Sequence, residues 1–348
     1  MNDIHIRKVG QTGRITLTRP KALNALSHDM ALAIDAALID WAQDTDVRMV
    51  VFDAEGDRAF CAGGDIAKLY ATGKAGDFEY GRQFWRDEYR MNARLAEFPK
   101  PVAAFMQGFT MGGGVGIGGH TSHRVVGHTS RISMPECSIG LVPDVGGTFL
   151  LAQAPGRIGE YLGLLGARMG PGDAIHAGFA DYYIPEANWP TLISALERSG
   201  DWGLIDAAGH PAPESKLAAQ QGDIDAAFGG ETLPDVLNAL DHAGTEFAAA
   251  TLQVMERNSP LAMAATLELI HRLRGPAATI HRALDGEYRY TARAMEHGDF
   301  LEGIRAAIID KDHSPQWHDV LRSLKALRVS RMLMPLGQDA LSFVDRAT

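Results

Sequence analysis

Two glycine-rich turns decide the fold of this chain: Phe60-Cys61-Ala62-Gly63-Gly64-Asp65 and Gly108-Phe109-Thr110-Met111-Gly112-Gly113-Gly114. Two spaced carboxylates follow them, Glu136 and Asp144. Because glycine has no Cβ, bare backbone N–H groups in such turns can approach a ligand closely. Two turns of this kind can point two donors at one oxygen, and a nearby acid can then attack, deliver water or move a proton. The pattern indicates chemistry on a polarised carbonyl group.

Strands and helices alternate around these turns. Short buried strands are predicted just before them, at residues 47–52 and 102–106, and a β-hairpin is predicted around residues 10–13. Strand, turn and helix repeat up to about Pro185, which is typical of a layered α/β core. Ser27 is predicted to cap one helix, and residues 84–98 are predicted to form another. Helical patterns dominate from Trp189 onward, including a helix predicted over residues 277–295. The sequence therefore predicts an α/β core over residues 1–188 and a mainly helical region over residues 189–348.

Composition excludes several classes of protein. The chain has 348 residues, of which 46% are hydrophobic, and a formal net charge of -10, whereas nucleic-acid-binding proteins usually carry a basic face. Its two cysteines, Cys61 and Cys137, are too few for a disulfide framework and fit a reducing compartment. Residues 1–7 lack the apolar core of a signal peptide, and residues 102–119 contain too many glycines for a membrane span. We expect a cytoplasmic protein with neither a nucleic acid nor a membrane as its partner.

Two weaker motifs suggest other ligands. Residues 114–119 match the dinucleotide pattern G-x-G-x-x-G, but no βαβ unit with an acidic residue at a strand end follows them. His120 and His123 are spaced like metal ligands, yet no carboxylate or thiol follows or precedes them at a sequence spacing that is usual for metal ligands. Neither a metal nor a redox cofactor is expected.

The motifs in combination resemble one known family. Residues 61–66, the triplet Gly112-Gly113-Gly114 with Met111 before it, and residues 135–147 are similar to the crotonase, or enoyl-CoA hydratase/isomerase, superfamily. The resemblance implies an α/β fold, a crotonase-like spiral of ββα units, followed here by a helical C-terminal region. It also implies that the core binds an acyl-coenzyme A thioester. Members of the superfamily are often trimers or hexamers, so a homo-oligomer is one expectation, although the long C-terminal helical segment could cover the usual contact surface.

The resemblance also assigns positions to the binding site. The superfamily's oxyanion hole consists of two backbone N–H groups, which by motif position fall on Gly64 and Gly113. The first glycine turn binds the adenine end of coenzyme A in the family, which implies contacts at Ala62, Asp65 and Ile66, with the stretch 21–26 close by. Coenzyme A is part of the substrate in such a site, and no separate cofactor is implied.

The acidic residues favour one branch of the superfamily. Hydratases carry one glutamate two residues after the glycine triplet, where this chain has Gly116, and a second at the position of Glu136. Glu136 together with Asp144 resembles the 3-hydroxyisobutyryl-CoA hydrolases, and Glu88 falls on that branch's substrate-contacting glutamate. The resemblance implies hydrolysis of a 3-hydroxyacyl-CoA thioester in valine catabolism, with Glu136 and Asp144 catalytic.

Other interpretations stay open at this point. An isomerase can work with a single glutamate, so Gly116 does not exclude an enoyl-CoA isomerase, and an acyl-CoA-binding protein without activity is a third hypothesis. A glutamate after a proline often opens a helix, and Asp144 before Val145-Gly146-Gly147 could be a helix N-cap. Glu88 could simply lie on the solvated face of a helix.

Overall fold

The computed structural model describes residues 3–276 and 278–343. Within them the strands are β1 Ile4–Val9, β2 Thr12–Leu17, β3 Met49–Ala54, β4 Ala59–Cys61, β5 Val102–Phe105, β6 Phe109–Met111, β7 His123–Val126, β8 Arg131–Ser133 and β9 Tyr182–Tyr183. The helices are α1 His28–Gln43, α2 Ile66–Lys74, α3 Phe78–Ala96, α4 Gly113–Gly118, α5 Gly147–Gln153, α6 Ile158–Leu165, α7 Pro171–His176, α8 Trp189–Ser199, α9 Gly203–Ala208, α10 Lys216–Ala227, α11 Leu233–Ala243, α12 Glu246–Met255, α13 Pro260–Arg272, α14 Ile280–His297, α15 Phe300–Ile304 and α16 Ala326–Leu333.

The strands form two sheets. A six-stranded sheet has the order β1-β2-β3-β5-β7-β9, and a three-stranded sheet has the order β4-β6-β8. Only the β1–β2 pair is antiparallel among the named strands, which confirms the predicted hairpin. All four residues of β5 are buried, as expected for a parallel strand covered on both faces.

The helices begin where local side chains satisfy their free N–H groups. Ser27 accepts a hydrogen bond from Met30 N (3.3 Å) and caps α1, as its sequence position predicts. Helix α3 begins at Phe78, six residues before its predicted start at Phe84, because Asp77 accepts a bond from Tyr80 N (3.2 Å) and opens the helix there.

Contacts within the chain divide it into two compact units. Unit 1 comprises residues 1–64, 90–133 and 168–218, and unit 2 comprises residues 65–89, 134–167 and 219–348. These units interleave along the sequence, whereas the division predicted at residue 188 is sequential; that division stays a prediction.

Unit 1 contains both sheets. Its core includes Met49 and Val51 of β3 and Phe105 of β5, against which the buried side chains of α8 pack, Trp189 among them. The Trp189 and Phe105 rings meet edge to face, with centroids 5.4 Å apart. The first helix beyond residue 188 is therefore part of the core built on the larger sheet.

Unit 2 is helical. Helix α13 packs against α5, α6, α14 and α16, and its N-terminus is capped by Ser259, which accepts from Ala262 N (3.1 Å). A helix is predicted from Ala277; that residue lies outside the described ones, and the helix, α14, begins at Ile280. The described residues contain no helix long and apolar enough to cross a membrane.

Candidate active site

The two glycine turns lie next to each other in unit 1. Strands β4 and β6 are parallel neighbours, so the turns that follow them leave the small sheet at the same edge. A Cβ on Gly114 would lie 2.1 Å from the carbonyl oxygen of Cys61, which shows that the two backbones touch here. Only glycine at position 114 permits this approach.

The second turn leads directly into a helix. Gly112 has φ +48°, in the region that favours glycine, and Gly113 is the first residue of α4. The N–H of a first helical residue has no acceptor in the helix's own ladder, and the positive end of the helix dipole lies behind it. Gly113 thus stands where a backbone donor can stabilise a developing negative charge.

The first turn is held by the chain before α1. Ala62 N donates to Leu23 O (3.0 Å), and Leu26 N donates to Gly63 O (2.8 Å). Gly64 forms an isolated parallel bridge with Leu26. The stretch 21–26 therefore lies alongside the turn that carries Ala62 and Gly64, as the resemblance implies.

Helix α4 contains no acid at the position that hydratases use. Gly116 is buried, and its carbonyl oxygen accepts a hydrogen bond from the side-chain amide of Asn92 (3.1 Å). Where hydratases have a glutamate, this chain has a glycine without a side chain, and the carbonyl oxygen of that glycine is bonded to Asn92.

The three predicted acids are brought together in unit 2, and Glu287 accompanies them. We call these four side chains the acidic cluster, and each is between 0% and 5% exposed: Glu88 on α3, Glu136 at the start of a 3₁₀ turn (Glu136–Ile139), Asp144, and Glu287 on α14. Among the described residues, one oxygen of Glu88 (Oε1) and one of Glu136 (Oε2) are buried without a hydrogen-bond partner. Glu88 does not lie on a solvated helix face.

Asp144 is not a helix cap. Its Oδ2 accepts a hydrogen bond from the Tyr89 hydroxyl (2.8 Å). Helix α5 is capped instead by Glu287, whose Oε2 accepts from Gly146 N (2.8 Å) and whose Oε1 accepts from Thr148 N (3.0 Å) and from the Thr148 hydroxyl. No role for Tyr89 or Glu287 is predicted from the sequence.

Burial dominates the electrostatics of the acidic cluster. It raises the pKa of Glu136 well above the usual range of a glutamate, and the charges of Asp144 and Glu287 raise this pKa further. Burial and then Asp144 raise the pKa of Glu88 in the same way. Burial raises the pKa of Asp144 to about 7, although the Tyr89 hydrogen bond opposes it. Asp144 can therefore exchange a proton near neutral pH, which suits general acid–base chemistry.

The stability of the fold is expected to depend on the ionisation of Asp144. Its pKa rises from 3.8 unfolded to about 7 folded, so its contribution to stability is fully present below pH 4 and is lost as the pH rises through 7. Asparagine cannot ionise. We expect the free energy of unfolding of Asp144→Asn, relative to the wild type, to increase by roughly 3 kcal/mol from pH 5 to pH 8, measured by urea unfolding at both pH values. An equal difference at the two pH values would contradict the raised pKa.

The remaining predicted contacts are partly exposed. Ala62, Gly64, Asp65 and Ile66 are neither fully buried nor fully exposed, and Ile66 is the first residue of α2. Unit 1 thus carries Ala62 and the two donor glycines, and unit 2 carries Asp65, Ile66 and the acids. The roles of all these residues stay predictions.

The family of the chain follows from comparison with known proteins. A family model described as enoyl-CoA hydratase/isomerase matches residues 12–332. The chain belongs to the enoyl-CoA hydratase/isomerase family. Its fold is accordingly the crotonase-like α/β fold that the resemblance implies.

Similar family members carry different names. The mitochondrial 3-hydroxyisobutyryl-CoA hydrolase of Gallus gallus is 33% identical over 97% of this chain and 90% of that protein. A crystal structure of an enoyl-CoA hydratase from Rhodobacter sphaeroides is 59% identical, with a TM-score of 0.94 over 98% of this chain and 100% of that one. A carnitinyl-CoA dehydratase structure from Mycobacterium thermoresistibile is 36% identical, also with a TM-score of 0.94, over 99% and 100% of the two chains.

Proposed function

We propose that this protein hydrolyses a 3-hydroxyacyl-CoA thioester, with 3-hydroxyisobutyryl-CoA as the substrate and valine catabolism as its setting. The observation that carries the proposal is the pairing of Glu136 with Asp144 in one buried acidic cluster, while Gly116 replaces the other glutamate of a hydratase. Adding water across a double bond uses two glutamates, whereas splitting a thioester needs one nucleophile or base.

The reaction starts at the thioester carbonyl. The N–H groups of Gly64 and Gly113 polarise the C=O bond and stabilise the oxyanion that forms, which is worth about 3 kcal/mol per donor in comparable enzymes. The proposal requires that Glu136 acts on the same thioester. In one route its carboxylate attacks the carbonyl carbon, the C–S bond breaks, and coenzyme A leaves as a thiolate that takes up a proton.

Water completes the reaction. It hydrolyses the resulting anhydride, which returns Glu136 as a carboxylate and releases the hydroxy acid. In the alternative route Glu136 removes a proton from water, and that water attacks the thioester directly. Both routes consume one water and produce one acid and one thiol. Neither needs an electron acceptor, and no redox cofactor is part of the proposal.

The other members of the acidic cluster are assigned supporting roles. Asp144, with a pKa of about 7, is able both to hold and to release a proton near neutral pH, so it orients or protonates the reacting groups. The unpaired Oε1 of Glu88 is a suitable acceptor for the 3-hydroxyl group of the acyl chain. Ala62, Asp65 and Ile66 are assigned to the coenzyme A portion.

The names of related proteins support two functions. The curated hydrolase from Gallus gallus supports thioester hydrolysis. The more similar hydratase structure from Rhodobacter sphaeroides supports the second candidate, an enoyl-CoA hydratase or isomerase. Gly116 weighs against hydration, and an isomerase remains compatible with a single glutamate. Expected homo-oligomerisation and a cytoplasmic location stay predictions.

A panel of acyl-CoA substrates separates these candidates. Free thiol is measured with a disulfide dye, and the enoyl double bond is followed by its absorbance in parallel. We expect thiol release to be fastest with 3-hydroxyisobutyryl-CoA, with no change in absorbance for crotonyl-CoA. Fast loss of the enoyl absorbance without thiol release would favour the hydratase, and binding without any turnover would favour an inactive acyl-CoA-binding protein.

A further inference from the structure

One face of helix α14 contacts the segments that carry both predicted catalytic acids. Glu287, Tyr290 and Thr291 are spaced i, i+3 and i+4, so they share a face of the helix. The Tyr290 hydroxyl donates to Gly140 O (3.2 Å), at the end of the turn that begins with Glu136. Thr291 Oγ1 lies 3.4 Å from the Tyr89 hydroxyl oxygen, the group that bonds Asp144.

Of these three residues, Glu287 makes the most hydrogen bonds to the segment after Asp144. Its carboxylate accepts three hydrogen bonds, from Gly146 N, Thr148 N and the Thr148 hydroxyl, and it is fully buried. The bonds lie two and four residues after Asp144. They fix the first turn of α5, because they satisfy N–H groups for which the helix itself has no acceptor.

Val145, between Asp144 and the residues that Glu287 caps, has an unfavourable backbone conformation. Val145 has φ +55°, a left-handed conformation that a β-branched residue rarely adopts, and Gly146 follows with φ +79°. Such a conformation persists only where the surrounding structure enforces it. The side chain of Val145 is buried, and the next residue is bonded to Glu287.

We propose that Glu287 is a positioning residue: by holding Gly146 and Thr148 it keeps the bend at Val145 closed and so keeps the Asp144 carboxylate on the Tyr89 hydroxyl. The proposal rests on the proposed function in that Asp144 has a role in the reaction. Glu287 itself touches no reacting atom. It acts through Asp144, and that distinguishes it from an ordinary helix cap.

A double-mutant cycle tests this dependence. Glu287→Gln keeps the side-chain volume but leaves one acceptor where there were two. A 1 Å misplacement of a catalytic group can cost about 100-fold in rate, so we expect kcat to fall about 10- to 100-fold, with KM changed less than about threefold. In an Asp144→Asn background the same change should lower kcat less than about twofold, because the group that Glu287 positions is already absent.

A matched control loses a cap elsewhere in unit 2. Thr232 caps α11 through Asp235 N and lies outside the site, so Thr232→Ala should lower the melting temperature by a few degrees and leave kcat unchanged. If Glu287→Gln and Asp144→Asn lower kcat by independent factors that multiply in the double variant, Glu287 is only a structural cap and the proposal is overturned.

Crystal structures provide a measurement that does not depend on activity. In Glu287→Gln we expect the bond between Tyr89 Oη and Asp144 Oδ2, 2.8 Å in the wild type, to be lost. An unchanged bond in that variant would overturn the proposal even if the rate falls. If instead the wild type releases no thiol from any acyl-CoA, the proposed function fails, and this structural comparison still decides whether Glu287 positions Asp144.

Discussion

Replacing Glu136 with glutamine is expected to abolish the release of free coenzyme A. Glutamine keeps the shape of the side chain, but it can neither attack a thioester nor take a proton from water. General-base catalysis alone is commonly worth 10² to 10⁴ in rate, so we expect kcat to fall at least about 10³-fold. The assay is thiol release from 3-hydroxyisobutyryl-CoA under single-turnover and steady-state conditions.

Glu136→Gln should still bind the acyl-CoA substrate. Glutamine fills nearly the same volume as the buried Glu136 side chain, so the shape of the site changes little. We expect the Kd of a thioether analogue of the substrate to change less than about threefold, measured by calorimetry. Glu268→Gln, a change at a half-buried position on α13 that pairs with Arg272, is the control and should leave the Kd unchanged. Full turnover by the Glu136 variant would exclude its assigned role.

Replacing Gly114 with alanine should have the second large effect, through packing rather than charge. The new Cβ would lie 2.1 Å from Cys61 O and 2.9 Å from Cys61 C, and backbone atoms cannot turn aside as a flexible side chain can. Either β4 or the start of α4 must move. Overpacking of this kind costs about 1–3 kcal/mol in stability, and displacing one oxyanion donor costs about 10²- to 10³-fold in kcat.

Two measurements separate these effects. Calorimetry gives the change in melting temperature, and thiol release at a temperature where the variant is folded gives the change in rate. Gly222→Ala is the matched control, because a Cβ at this helical position meets nothing within 4 Å and should stabilise α10 by about 0.5–1 kcal/mol. A Gly114 variant with the stability and rate of the wild type would show that the two turns do not need their close contact.

Local signals in the sequence predicted much of the fold. The β1–β2 hairpin and the Ser27 cap of α1 depend on residues within a few positions of each other, and both are confirmed. The start of α3 was missed because the prediction followed the apolar pattern from Phe84, and Asp77 opens the helix before that pattern begins. Interleaving of the two units depends on contacts between distant segments, which no local pattern contains.

In the acidic cluster, too, local motifs could be predicted and long-range contacts could not. Glu136 and Asp144 stand in a short motif, so the sequence could single them out. Their surroundings could not be predicted in this way, because Tyr89 reaches Asp144 across 55 positions and Glu287 reaches Gly146 across 141. The alternative interpretation of Asp144 as a helix cap was reasonable locally, and it is wrong because a distant carboxylate supplies the acceptor.

The position of Glu287 in the chain has a consequence for synthesis and for truncation. During translation the segment around Asp144 leaves the ribosome long before α14 exists, so the acceptor for Gly146 and Thr148 arrives only after about four-fifths of the protein has been made. A fragment ending before residue 280 retains both glycine turns, Glu136 and Asp144, and it lacks this acceptor. Under the positioning role proposed for Glu287, the helical C-terminal region is needed for activity, and a smaller enzyme cannot be obtained by removing it.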